Sequence, residues 1–321
     1  MTAAKHIAIV GAGIAAITCA RTLIQAGHRV TLLEKSHRVG GRMATRSSAF
    51  GTFDHGAQYF TVRDPRFALA LQTAPQLCKP WSANAVQVLD AHGLVAAAGL
   101  PAREPHWVAT PGMNALPQRW AKPLIEAGAL ELHTRVTHIE RDALNPDQWQ
   151  LRTLGAQDSN HVYSGFDAVA LAVPAPQAQA LLHACPGAGG LLQASAAVTM
   201  APCWTLMLAF PQAVQPGLLA LGPQWNAARS THHRIAWLAR ESSKPGRSAI
   251  ERWTVQASAD WSKEHLQDDA ARIEAKLLKA FAEVTGIRAL PAHTETRRWL
   301  YAQTEQALGQ THLWDASAGL G

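Results

Sequence analysis

The stretch that decides the fold is His6-Ile7-Ala8-Ile9-Val10 followed by Gly11-Ala12-Gly13-Ile14-Ala15-Ala16. An apolar strand runs into a glycine loop, and the loop opens a helical stretch that lasts to Gly27. A second strand, Arg29 to Leu33, ends on Glu34. Each position has a physical job. Gly11 permits the tight turn out of the strand. Gly13 lacks a Cβ, so a pyrophosphate can come close to the backbone at the helix N-terminus, where unpaired N–H groups and the helix dipole favour negative charge. Ala16 is small enough for helix and strand to pack closely. Glu34 stands near the spacing of about 20 residues expected of a carboxylate that accepts from ribose hydroxyls, and its charge repels a 2′-phosphate. Lys35 follows it and joins the candidate nucleotide contacts. A secretory leader is the rival reading of Lys5 and the apolar run to Ala20. The glycine spacing and the continuation into helix, turn and acid-ended strand argue against it.

A second glycine loop, Arg38-Val39-Gly40-Gly41-Arg42, comes directly after Glu34. Arginines at 38, 42 and 46 surround the flexible Gly40-Gly41 pair, which suits further contact with a dinucleotide pyrophosphate and separates FAD from NAD as the expected cofactor. On its own the loop would read as a solvated basic turn.

The chain has 321 residues, 48% of them hydrophobic, enough for about two domains with full cores. A net charge of +6 is spread without a long basic run, which argues against nucleic acid as a partner. Cys19, Cys78, Cys185 and Cys203 show no CxxC spacing and read as reduced thiols. Fifteen histidines show no metal-ligand spacing, so no metal is expected. His232-His233 is taken as a strand pair facing opposite ways. No apolar run approaches the roughly 18 residues of a membrane span. The expectation is a cytoplasmic protein with its oligomeric state open.

Further along, the pattern predicts a helix from Pro65 to about Leu77, short strands between Val86 and Trp107, and a helix opened by Pro111 and stopped at Gly128. Leu130 to Val136 reads as one alternating strand, continuing through Ile139 and pairing with Trp149 to Leu154. Phe166 to Val173 reads as a buried strand broken by Pro174-Ala175-Pro176. Strands are expected at Trp204–Phe210, Ile235–Ala239, Trp253–Ala257 and Thr296–Ala302, with one long helix from about Lys263 to Thr285 stopped by Gly286. The pattern as a whole is α/β, a nucleotide-binding domain interrupted by a second, sheet-based domain.

The Gly40-Gly41-Arg42-Met43 loop together with Asp54-His55-Gly56-Ala57-Gln58-Tyr59-Phe60-Thr61 resembles the renalase-type branch of FAD-dependent, amine-oxidase-like flavoproteins. Pro111-Gly112-Met113, Ala170 to Pro176, Ser243-Lys244-Pro245-Gly246-Arg247 and Arg298 to Ala302 extend the resemblance along almost the whole chain. It implies a Rossmann-like FAD-binding domain of the p-hydroxybenzoate-hydroxylase/amine-oxidase type, made of 1–62, 110–175 and 291–321. An inserted α+β substrate domain would comprise 63–109 and 176–290.

The same resemblance implies that Gly11, Gly13, Ala16, Glu34, Lys35, Gly41 and Arg42 hold the cofactor, with a backbone contact at Val136. Gly56, Ala57, Gln58 and Tyr59 would lie along the flavin ring, which faces the inserted domain. Bacterial relatives resemble oxidases that repair misreduced nicotinamide dinucleotides with oxygen. Hydride transfer to flavin N5 needs alignment and neither a nucleophile nor a metal. The wider superfamily leaves an amine oxidase or desaturase open. The family pattern also continues with a Cys-Gly-Asp-Trp-like strand end and a final helix. Here the sequence stops at Asp315 to Gly321, so the expectation is either a sequence cut short or a chain that binds flavin weakly or not at all, a dinucleotide-binding remnant.

For substrate contacts, Tyr59, Trp237 and Trp299 are the candidates. Tyr59 and Phe60 suit either stacking on a ligand or core packing. Trp299 and Tyr301 alternate on a strand and share a face, as either a pocket wall or packed core. Lys244 and Arg247 suit a dinucleotide phosphate, but Ser243 to Arg247 reads more readily as a polar surface turn. Cys19 reads as core packing.

Overall fold

The computed structural model describes residues 3–81, 86–97, 104–156, 159–214, 223 and 225–321. The expected strands at Val86 to Trp107 and the expected turn glycine Gly99 fall partly outside them. The chain forms two compact units, 1–41 with 117–200 and 304–321, and 42–116 with 201–303. These bounds differ from those drawn on the sequence. Residues 42–62 cluster with the second unit because Asp54 and its neighbours are tied by hydrogen bonds to Glu241, Lys244 and Arg247.

The first unit is built on a parallel sheet. Strand His6–Val10 lies between Ala168–Leu171 and Arg29–Leu33, with Leu130–Glu131 outermost. A strand covered on both faces must be apolar throughout, and Ala8 and Ile9 are fully buried. Helix Ile14–Gln25 turns Ala16, Ile17 and Ala20 inward, all fully buried, so the small residues at 16 and 20 allow close approach to the sheet. Residues 319–321 run alongside Ala168–Leu171, where Leu320 pairs in parallel with Val169.

The single strand expected over Leu130 to Val136 is two strands. Leu130–Glu131 joins the parallel sheet. His133 then takes a left-handed conformation (φ 54°), and Arg135–Arg141 leaves to form a three-stranded antiparallel sheet with Trp149–Leu154 and Asn160–Phe166. Alternation reports which face a side chain takes, not which strand is its partner.

The second unit carries a seven-stranded sheet in the order His293–Gln306, Thr199–Phe210, Glu251–Ala257, Ile235–Arg240, Ala227–Ser230, Gln87–Leu89 and Val95–Ala97. Helix Ala270–Thr285 covers it with Ile273, Leu277, Ala280, Phe281 and Val284. The long helix expected from Lys263 is two helices, Ala259–Glu264 and Ala270–Thr285. The break comes where the Asp269 carboxylate caps the second helix by accepting the Ala271 N–H. Gly286, left-handed at φ 74°, ends it as expected.

Three further elements differ from the reading. The helix at Pro65 stops at Leu71, and the helix expected from Pro111 begins at Ala115. His232 and His233 lie on a bend, not a strand, and their rings stack at 4.5 Å.

Candidate flavin and substrate site

The glycine loops of the first unit fit back to back. The Gly11 N–H donates to the Leu33 carbonyl at 2.8 Å, and Gly11 holds φ 105°, with the Ala172 carbonyl 2.8 Å from where a Cβ would stand. Only glycine satisfies both conditions. The Gly40 N–H donates to the Ala12 carbonyl at 2.9 Å, and Gly13 and Gly40 form a parallel bridge. A Cβ on Gly41 would sit 3.3 Å from Gly13 Cα. Gly13 itself faces open space: nothing lies within 4 Å of its Cβ position, and no side chain caps the helix that starts there.

Glu34 borders this opening, 9% exposed. Its Oε2 accepts the Ala12 N–H and its Oε1 the Ser36 N–H, both at 2.8 Å. A carboxylate has about four acceptor directions, so two remain for ribose hydroxyls. Lys35 is exposed next to it. Val136 buries its side chain in the core of this unit, and Thr134, two residues earlier, donates its N–H to the Glu34 carbonyl. The open cradle at Gly13 and the carboxylate at the strand end fit the adenosine and pyrophosphate of a dinucleotide.

In the second unit, residues 54–59 are clamped at successive main-chain atoms. The His55 carbonyl accepts from Thr205 Oγ1 and Trp299 Nε1, and the Gly56 carbonyl accepts from Gln256 Nε2 at 2.8 Å. The Ala57 N–H donates to the Arg42 carbonyl, and a Cβ on Gly56 would collide with that same carbonyl oxygen. The Arg42 guanidinium donates to the Ala302 carbonyl at 3.3 Å. Gln58 turns inward: its amide nitrogen donates to the Asp54 and Gly56 carbonyls, and its oxygen accepts from Lys244 Nζ.

That lysine belongs to a buried ionic knot the sequence reading missed. Ser243 to Arg247 is a turn, but its cations point inward, and the side chains of Asp54, Glu241, Lys244 and Arg247 have no exposure. Lys244 Nζ donates to Asp54 Oδ2 and Glu241 Oε1, each at 3.0 Å, and Arg247 Nη2 reaches Asp54 Oδ2 at 2.7 Å. Asp54 Oδ1 accepts from Thr45 Oγ1 and from the Met113 N–H. Burial pushes the Asp54 carboxyl up, but Lys244 and Arg247 beside it hold it below its ordinary value. Burial wins at Glu241 and raises it against the pull of Lys244, aided by the Asp54 charge.

Next to the knot lies an aromatic face. Tyr59 packs on His106 at 3.9 Å between ring centroids, on Trp237 at 5.8 Å and on Trp81 at 6.5 Å. Tyr59 and Trp237 are thus brought together as candidates, and Trp81 and His106 join them unforeseen. Trp299 stacks on His55 at 5.1 Å. Trp237 Nε1 is buried with no hydrogen-bond partner among the described residues. Burial pushes the Cys78 and Cys203 thiols up to about 11, which disfavours thiolate chemistry. Among the described residues no helix is long and apolar enough to cross a membrane.

Residues 98–317 match the model of the family described as flavin containing amine oxidoreductase, and 9–72 match that of an NAD(P)-binding Rossmann-like domain. The chain belongs to the flavin containing amine oxidoreductase family. Among its curated relatives, an L-amino-acid oxidase of Bungarus fasciatus is 61% identical over 41 residues, 13% of this chain and 8% of that protein. One of Naja atra is 58% identical over a stretch of the same length and coverage. The matched stretch therefore spans less than a tenth of those relatives.

Among solved structures, a "Putative protoporphyrinogen oxidase" from Exiguobacterium sp. 255-15 has a TM-score of 0.73 at 14% identity, covering 96% of this chain and 89% of that one. Putrescine oxidase bound to putrescine has a TM-score of 0.66 at 12% identity, covering 92% and 84%. At these identities the likeness is one of fold.

Proposed function

We propose that this protein is an FAD-dependent oxidoreductase that oxidises a small-molecule hydride donor, specifically a reduced nicotinamide dinucleotide isomer, with oxygen as acceptor, in the manner of the renalase-type branch. The observation that carries the reading is the open cradle at Gly13, backed by the second glycine loop and bordered by Glu34. Bound flavin supplies hydride acceptance at N5 and returns electrons to oxygen as hydrogen peroxide. In this reading Gly11, Gly13, Ala16, Gly41 and the N-terminus of the first helix hold the pyrophosphate, with Lys35 and Arg42 adding charge. Glu34 orients the ribose, and the backbone near Val136 flanks the adenosine. Residues 56–59 lie along the ring, and Tyr59, Trp237 and Trp299 contact the donor. The clamped 54–59 segment keeps this wall fixed, and its aromatic rings exclude water from a flat substrate.

The test is a visible spectrum of the purified chain before and after incubation with FAD, followed by anaerobic addition of dihydronicotinamide isomers. The expected result is flavin absorption that these isomers bleach, with peroxide formed on readmission of air. A colourless chain, or flavin left oxidised by every isomer, overturns the reading. The family match favours a second reading, amine oxidation. Turnover of a primary-amine panel, with no response to dihydronicotinamides, would select it.

A further inference from the structure

We infer that Lys244 is a positioning residue whose buried ammonium, together with the adjacent Ser243, sets the relative placement of Tyr59 and Trp81 on the aromatic face. The inference rests on the reading of that face as a substrate wall. The ammonium has three hydrogens and three acceptors: Asp54 Oδ2 at 3.0 Å, Glu241 Oε1 at 3.0 Å and Gln58 Oε1 at 3.2 Å. It has no hydrogen left for a ligand, so its role is structural in its immediate contacts.

Those contacts have a direction. An ammonium only donates, so it fixes the Gln58 amide with its oxygen toward Lys244 and its nitrogen toward the Asp54 and Gly56 carbonyls. The segment is thereby drawn into one turn, and the next residue out of it is Tyr59. On the other side, Lys244 Nζ lies 5.4 Å from the centroid of the Trp81 ring, and Trp81 Nε1 donates to Ser243 Oγ at 3.0 Å. Two neighbouring residues on one turn therefore hold both flanks of the aromatic face. A buried charge used only for stability is readily replaced by apolar packing. Here its acceptor pattern specifies which way a side-chain amide points, and a ring position depends on that.

The experiment uses the full-length chain labelled with 5-fluorotryptophan, with the fluorine resonances of Trp81 and Trp237 assigned by Trp81→Phe and Trp237→Phe. Lys244→Met removes the ammonium. Gln58→Met removes the clamp while leaving every buried charge paired, so it decides the question even if Lys244→Met fails to fold. Ser243→Ala removes only the Trp81 hydrogen bond. The expected result is that Gln58→Met, and Lys244→Met where it folds, shift the Trp237 resonance by way of Tyr59. Ser243→Ala should shift Trp81 alone. The KM for the donor should rise about five- to tenfold in Gln58→Met. A Trp237 resonance unmoved by Gln58→Met overturns the inference, and so does an unchanged KM. If no version of the protein turns over any donor, the proposed function fails while the fluorine comparison still decides the positioning role.

Discussion

The Glu34 carboxylate closes on the glycine loop that precedes it: its Oε2 accepts the Ala12 N–H at 2.8 Å, one residue before the open position at Gly13. The acid that is expected to meet a ribose thus also shapes the loop expected to meet the pyrophosphate. Glu34→Ala leaves the Ala12 and Ser36 N–H groups without their acceptor, at a cost of about 1–3 kcal/mol. Glu34→Gln keeps one acceptor oxygen and should lose less. Thermal unfolding gives the stability order. A fluorimetric FAD titration should show affinity falling about tenfold or more for Glu34→Ala, since a charge-assisted hydrogen bond is lost with the loop geometry.

Gly56→Ala should destabilise by about 1–3 kcal/mol or more, because the new methyl meets a backbone carbonyl, that of Arg42, which has no rotamer by which to escape. Gly13→Ala is the contrast. Its methyl meets nothing, so the fold should survive while dinucleotide affinity drops. Urea unfolding and FAD titration on the two variants should show opposite patterns. Equal losses of stability would refute the assignment of Gly13 to a cradle.

The two buried carboxyls of the ionic knot should respond differently to neutralisation. Asp54 is held below its ordinary value and carries charge against both Lys244 and Arg247, so Asp54→Asn leaves Arg247 without its carboxylate and should cost about 3–5 kcal/mol. Glu241 is pushed up by burial, and its Oε2 has no hydrogen-bond partner among the described residues. Glu241→Gln should cost less than half as much. Chemical denaturation at pH 7 measures both.

His55 gives a pH dependence of known sign. Burial, with Arg297 nearby, pushes its ring from 6.5 down to about 4. The unfolded chain takes the proton first, so between about 6.5 and 4 the unfolded state holds more protons. Stability from this group is full above that window and lost as pH falls through it, by up to about 3 kcal/mol. His55→Phe keeps a ring against Trp299 and removes the titration. The stability of the wild type relative to the variant should fall steadily as pH falls from 7 to 4 in urea-unfolding series, and a constant difference would count against it.

The strand, glycine loop and acid-ended second strand were legible in the sequence because their physics is local. A strand, a turn that only glycine allows and an acid at the next strand's end all lie within forty residues, and each constrains its neighbours. The ionic knot was not legible. Lys244 and Asp54 are 190 positions apart, and a Ser-Lys-Pro-Gly-Arg turn looks the same whether its cations face water or carboxylates. The aromatic face was half legible. Tyr59 and Trp237 were expected near a ligand, but which rings share a face depends on sheet register, which set Trp299 against His55 and brought in Trp81. One signal lay unread: Asp269, a helix-capping residue, stands where the long helix breaks.

The parallel pairing of His6–Val10 with Ala168–Leu171 sets a timetable for biosynthesis. The His6 N–H waits for Asp167, 161 positions later in the chain. At ribosomal speeds of about 5–20 residues per second, roughly 8 to 30 s separate the emergence of the two strands. Through that interval one flank of the first strand has no partner, although the glycine loop beside it is already made. The glycine loop that opens the sequence is therefore formed well before its strand gains its second neighbour, which comes only when about half of the chain has been made.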